Sequence, residues 1–397
     1  MTISFPTPVA LRWAPDSWQL GPSNRWSFSH LREVVRTARI AAPAGPARPL
    51  VSGDPVELSL PITRADGRVS PLQDVLDEGF TDGLLVLHRG QVVLEHYPAG
   101  LTPTDTHALL SVSKSLVGTV AGILIGQGVI DETSVITTYI PEFAGRGYDG
   151  ATVRHLLDMR SGIKYSEHYE EPDAEITVMG QVVDWTPRIF PDLPTSIYDY
   201  LTLLVPAGAH GGPFNYRSCE TDALGWVCER ASGQPMNELI SELIWQPMGA
   251  EQDADAAVDR AGTVIHDGGI AATLRDLGRF GQLLLDGGRV GDRQVVPEAF
   301  LADTYRGGTD SRAAFASTAT DTRMPGGMYR NQFWLPYPAE RSVLMCMGIY
   351  GQMIYVDPSR DYVAVKLSSW PVAQRPDLLG DTLLAVDQLG DHLAARG

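Results

Sequence analysis

The chain has 397 residues, 44% hydrophobic and 20% charged, an ordinary balance for a globular protein long enough for two or three domain-sized units. Asp and Glu number 48 against 31 Lys and Arg, and the resulting net charge of −17 excludes nucleic acid and anionic membrane as partners, because both are bound through basic patches. Three scattered cysteines, Cys219, Cys228 and Cys346, form no disulfide framework, and no run of about 18 apolar residues would span a bilayer.

The N-terminal stretch MTISFPTPVALRWAPDSW has no basic n-region, apolar core or small-residue cleavage site, so no secretory signal is read and a reduced, cytoplasmic protein is expected. Residues 1 to about 60 read as a packing extension, with RWSFSHLREVV as one short helix. Two β-rich runs in GLLVLHRGQVVLEH flank His88-Arg89-Gly90 and predict a hairpin. LLSVSKSLVGTVAGILIGQ, from Leu109 to Gln127, then predicts a helix apolar on nearly every face.

From about Ile130 to His266 the pattern is helical and loop-rich. TVRHLLDMRSGI predicts a helix stopped near Gly162, and the polar stretch SEHYEEPDAEITVMGQVVDWTPR a long loop of the kind that often carries function. GIAATLRDLGRFGQLLLDGG predicts an amphipathic helix with a glycine stop. MYRNQFWL, SVLMCMGIY, QMIYVDP and DYVAVKLSS then read as strands, and PDLLGDTLLAVDQLGDHLAARG as a closing helix. Strands near both ends with helices between predict an α+β fold: an antiparallel sheet built from both termini and an inserted all-α domain. The expected boundaries are 1–110 for the extension and first part of the α/β domain, 111–265 for the helical domain, and 266–397 for the second α/β part.

The helix at Leu109 raises a chemical question, because its first turn carries Lys114 and an ammonium in a buried helix costs several kcal/mol unless paired, neutralised or used. The chain has only two other lysines, Lys164 and Lys366. Ser111-Val112-Ser113-Lys114 is an S-x-x-K at a helix start, and residues i and i+3 share a face, so the serine hydroxyl and the amine come within hydrogen-bond reach. The unpaired first-turn N–H groups give Ser111 an oxyanion donor. Helix dipole and desolvation favour a neutral Lys114 able to act as base, which arginine cannot do. A capping serine with a satisfied lysine is the alternative.

Spacing alone is weak evidence, since Ser161-Gly162-Ile163-Lys164 repeats it. That copy follows a helix instead of opening one, and is read as structural. Lys366, on a strand with no serine three residues before it, is read as solvated or paired.

Penicillin-binding proteins and serine β-lactamases join S-x-x-K to a second polar triplet and to K-T-G on a strand. Here Tyr216-Arg217-Ser218 supplies a Tyr-x-Ser triplet, and a phenol beside a lysine can relay a proton to a leaving group. Cys346-Met347-Gly348-Ile349 stands where K-T-G would, with the glycine kept and the lysine lost. Its expected work is to lay backbone against the substrate, with the Ile349 N–H as second oxyanion donor. Cys346 is read as an inert buried thiol.

Together with NRWSFSHL, NYRS and VKLSSWP, these motifs make the chain, from about residue 24 to 371, similar to the β-lactamase-related serine hydrolases. Within them it most resembles the 6-aminohexanoate-dimer (nylon-oligomer) hydrolases and their carboxylesterase relatives. The resemblance implies Ser111 as nucleophile, Lys114 and Tyr216 as proton-handling pair, and Ser111 and Ile349 as oxyanion amides. It also implies Tyr169 and Trp185 in a loop closing over substrate, Gly180 and Asp267 at the pocket wall, and Ser218 and Gly348 in substrate contact. Ser218 replaces the asparagine of the β-lactamase triplet, and Cys346 the lysine that meets a substrate carboxylate.

The expected activity is hydrolysis of small linear amides or esters through an acyl-enzyme, with no cofactor. A β-lactamase or D-alanyl peptidase and a non-catalytic binding protein on the same fold are the alternatives. A metallohydrolase is disfavoured by the lack of H-E-x-x-H or a comparable cluster. Expected partners are a small-molecule amide or ester, with no nucleic acid and no membrane; a homodimer is left open.

Overall fold

A computed structural model describes residues 18–396. Most of the stretch read as lacking a secretory signal therefore lies outside the described residues. The strands of the two larger sheets are, in chain order, β1 (Thr37–Ile40), β2 (Val51–Ser52), β3 (Thr81–His88), β4 (Gln91–His96), β5 (Thr106–Ala108) and β6 (Ala254–Ala257). They continue with β7 (Ile270–Thr273), β8 (Met328–Arg330), β9 (Phe333–Leu335), β10 (Leu344–Gly348), β11 (Gln352–Asp357) and β12 (Tyr362–Ser368). The helices that frame the site are α1 (Val112–Gly126), α2 (Glu175–Val182), α3 (Ile197–Leu201), α4 (Ser218–Ser232) and α5 (Leu274–Leu285), with α6 (Pro376–Ala395) closing the chain.

The large sheet has the order β8-β9-β10-β11-β12-β3-β4-β2, antiparallel except where β2 runs parallel to β4. Strands from both ends of the chain meet where β12 pairs with β3, so the sheet is assembled as the α+β pattern predicts. Both its faces are buried, which is why β3 reads as an unbroken apolar run. Leu85 and Leu87 join one hydrophobic cluster, with Val363 and Val365. Leu84 and Val86 point the other way, into the cluster that holds Tyr355, Tyr362 and Leu389 of α6. The predicted hairpin turns at Arg89 and Gly90, both left-handed at φ 52° and 71°. Helix α1 is buried from Val112 to Leu124 on all sides.

Five elements differ from the sequence expectation, the first being that the stretch read as a long loop, SEHYEEPDAEITVMGQVVDWTPR, contains helix α2. RWSFSHLREVV forms two short helices, Asn24–Ser27 and Leu31–Val34, because His30 leaves helical geometry and its ring stacks on Trp26. The helix in TVRHLLDMRSGI ends at Leu157 instead of Gly162. Met159 turns left-handed there, while Arg160 is drawn to the Gly212 carbonyl (2.7 Å) and to Asp310. GIAAT is strand β7, since the edges of β5 and β6 flank it, and the helix starts only at Leu274. MYRNQFWL folds back on itself as β8 and β9, with Asn331 and Gln332 both left-handed.

Lys366 is neither solvated nor matched to a close carboxylate: it is 2% exposed on β12, bonded to the Ser368 hydroxyl, with its ammonium 5.8 Å from the Trp370 ring centre. Burial pushes its pKa down to about 7, from 10.5. Between those two values the unfolded chain binds this proton more tightly than the folded chain, so stability rises with pH across that window. At neutral pH the buried amine costs on the order of a few kcal/mol. Lys366→Met is therefore expected to raise Tm at pH 6–7, with the gain shrinking toward pH 10. A thermal-melt series checks this; a loss at pH 6, or a gain that does not change with pH, would contradict it.

Candidate active site

Strand β5 delivers the chain to Leu109, whose N–H donates to the Ile270 carbonyl (2.9 Å). Leu110 then adopts φ 47°, a left-handed conformation that costs a leucine about 1–3 kcal/mol and turns the chain sharply into α1. Ser111 occupies the N-cap position straight after that bend. One turn on, the Lys114 ammonium donates to Ser111 Oγ at 2.9 Å and to the Asp267 carbonyl at 2.7 Å, with the Asp267 carboxylate 3.6 Å away. Lys114 is 1% exposed and Ser111 9%.

The expectation of a neutral Lys114 is not met. Burial presses the amine toward neutrality, yet Tyr216 and the carboxylates of Asp267, Glu167 and Asp222 outweigh it and hold the pKa above its ordinary value. These groups come from segments far apart in sequence, so local helix arguments do not see them. At rest the lysine is an ammonium with the Ser111 hydroxyl as its acceptor, and it can take the serine proton only after releasing its own.

Tyr216 lies just before α4, its ring centre 5.3 Å from Lys114 Nζ and its face stacked on Trp334 at 5.2 Å. Burial raises the phenol, while the Lys114 charge and the nearness of Ser111 pull it back. The serine, the lysine and the half-buried tyrosine therefore share one proton-exchange site.

Among the described residues, neither the Ser111 nor the Ile349 backbone N–H has a hydrogen-bond acceptor. Both residues line the same cavity. Gly348 explains their approach: a Cβ there would lie 2.6 Å from the Leu109 carbonyl oxygen, so any side chain would push the end of β10 away from Ser111. Gly348 itself does not line the cavity, contrary to the contact expected of it; it packs behind it. Cys346 is buried, its thiol pushed up to about 12 by that burial, as an inert residue should be.

The cavity measures about 290 Å³. Tyr169, Gly180, Trp185, Ser218, Asp267 and Ile349 all line it, among apolar groups such as Leu110, Ile176 and Met179. Trp185 is pinned on the segment after α2: its N–H donates to the Gly180 carbonyl (2.8 Å), and its own carbonyl accepts the Trp18 indole N–H (3.1 Å). Arg, Lys and His are missing from the lining among the described residues.

Ser161 and Lys164 are not brought together. Ser161 donates to Glu220 (2.7 Å), while the exposed Lys164 faces Glu175. Glu167 is the group the sequence did not flag. Its half-buried carboxylate accepts the Ser218 N–H and the Tyr169 hydroxyl, both at 2.6 Å, and desolvation raises its pKa against the pull of Lys114. One glutamate in an acidic loop carries no signal of that role. The described residues contain no His, Cys, Asp or Glu cluster suited to a metal, and no helix long and apolar enough to cross a membrane.

The family model described as Beta-lactamase matches residues 78–387. The 6-aminohexanoate-dimer hydrolase of Paenarthrobacter ureafaciens is 40% identical over 358 residues, which span 90% of this chain and 88% of that protein. Esterase EstB of Burkholderia gladioli is 29% identical over 201 residues, 47% of this chain and 48% of the esterase. Among solved structures, a Bacillus anthracis chain provisionally given the name 6-aminohexanoate-dimer hydrolase matches with a TM-score of 0.88 at 27% identity, over 96% of this chain and 97% of its own.

Proposed function

Because the chain belongs to the Beta-lactamase family of hydrolases, we propose that it is a serine hydrolase that cleaves small linear amides or esters through an acyl-enzyme on Ser111. The observation that carries this reading is the 2.9 Å contact between Lys114 Nζ and Ser111 Oγ at the wall of a largely apolar cavity. Ser111 Oγ attacks the substrate carbonyl once the Lys114–Tyr216 pair has released a proton and can take that of the serine. The Ser111 and Ile349 N–H groups stabilise the oxyanion. Tyr216, facing both Ser111 and Lys114, returns the proton to the departing amine or alcohol, and water then releases the acid. The likeness to the Paenarthrobacter dimer hydrolase and to Esterase EstB supports linear aminohexanoate amides and short esters as the substrate class.

A β-lactamase or D-alanyl peptidase reading is weaker on this lining. Those substrates present a carboxylate, and among the described residues this cavity offers it the Asp267 carboxylate and no cation from its wall. A charge-assisted hydrogen bond is worth roughly 1.5–3 kcal/mol, so its absence costs about one to two orders of magnitude in discrimination. The expected order of kcat/KM places p-nitrophenyl butyrate and a linear aminohexanoate amide above nitrocefin; nitrocefin as the best substrate would overturn the reading.

A further inference from the structure

A second charged cluster is buried directly behind Lys114 and takes no part in the steps above. His266 is fully buried, with Nδ1 3.7 Å from Asp222 Oδ1 and Nε2 3.5 Å from Glu229 Oε1. Each ring nitrogen thus faces a carboxylate oxygen at ion-pair distance without a hydrogen bond, and only the doubly protonated ring is attracted to both; a neutral ring would set a lone pair against one of them. The cradle is built for the ring. Asp222, Gly225 and Glu229 share one face of α4, and a Cβ at Gly225 would lie 2.3 Å from the imidazole Cγ. Tyr198 of α3 lies nearly parallel to the ring, 6.2 Å between centres, and donates its hydroxyl to Glu229.

The cluster is wired to the lysine. Asp222 Oδ1 accepts the Asp267 N–H at 3.2 Å, and the carbonyl of the same Asp267 accepts Lys114 Nζ. The titratable groups facing His266 are Asp222 and Glu229 from α4, Tyr198 from α3 and Asp267 on its own segment; Asp259 acts on Tyr198, and Lys114 on Asp222. Burial alone would lower the His266 pKa, but the two carboxylates lift it to about 9.

We propose that Asp222, His266 and Glu229 are positioning residues for the reaction: a buried imidazolium clamped between two carboxylates anchors Asp267 and balances the charge felt by Lys114. The proposal rests on the reading of Ser111 and Lys114 as the reacting pair. Its signature is a pair of opposite shifts. His266→Gln removes a positive charge and leaves Asp222 uncompensated, so Lys114 holds its proton more tightly and the rising limb of kcat/KM against pH moves up by about one pH unit. At pH 7 that reads as about a tenfold loss, recovered at higher pH. Asp222→Asn removes a negative charge and moves the limb down. His266→Gln with Asp222→Asn removes one charge of each sign and returns the limb close to its original place.

Losses that are independent of pH, or shifts of the same sign in both single variants, would overturn the proposal. If acylation of Ser111 persists in those variants, the reading of the reacting pair survives; if the unaltered protein shows no acylation of Ser111, that reading falls first. A measurement on the unaltered protein covers the case in which a variant fails to fold. Nitrogen NMR with the ring signals assigned residue by residue should find the His266 ring still doubly protonated at pH 8, and a neutral His266 ring at that pH would overturn the proposal.

Discussion

Ser111→Ala is expected to lower turnover of p-nitrophenyl butyrate and of a linear aminohexanoate amide by at least about four orders of magnitude, with folding and Tm little changed. The stability half follows from the geometry. Ser111 makes no side-chain cap bond to α1, so alanine leaves the helix start intact, and the hydroxyl it removes is an acceptor for Lys114. That ammonium keeps the Asp267 carbonyl and carboxylate as partners. The activity half follows from chemistry, since nothing else at that bend can be acylated in its place. Retention of more than about one hundredth of the activity would exclude the serine as nucleophile.

Lys114→Arg should be almost as damaging as Lys114→Ala, each losing about two to four orders of magnitude in kcat. Arginine keeps a positive charge but cannot give up a proton at any working pH. The structure adds a second cost. The lysine is fully enclosed, with its donors aimed at Ser111 Oγ and the Asp267 carbonyl, and a planar guanidinium overfills that space. Because Lys114 is an ammonium at rest, the unaltered enzyme should also gain kcat/KM as pH rises through neutrality into the alkaline range. A flat profile, or an arginine variant with near-normal kcat, would leave the lysine as an electrostatic prop.

What could be read from the sequence was what depends on neighbours in the chain. The Ser111–Lys114 pairing follows from helix spacing, and the hairpin at Arg89-Gly90 from its turn residues. The fold class followed from the order of strands and helices. What could not be read depends on distant segments. The protonation of Lys114 is set by Tyr216, Asp267, Glu167 and Asp222, which meet only in the folded protein. Strand β7 looks helical by composition and becomes a strand because β5 and β6 offer it two edges. The left-handed bend at Leu110 has no composition signal, since leucine is a poor choice for it and is held there by the surrounding core. The Asp222-Gly225-Glu229 spacing on one helix face was visible in principle, but it acquires meaning only with His266 against it.

The central claim is a covalent acyl-enzyme on Ser111, and mass spectrometry of the protein treated with a fluorophosphonate probe tests it most directly. The account predicts one added label per chain, located on the peptide that contains Ser111 and lost in Ser111→Ala. A label on Ser161 or Cys346, or none on a protein that still hydrolyses p-nitrophenyl butyrate, would contradict it.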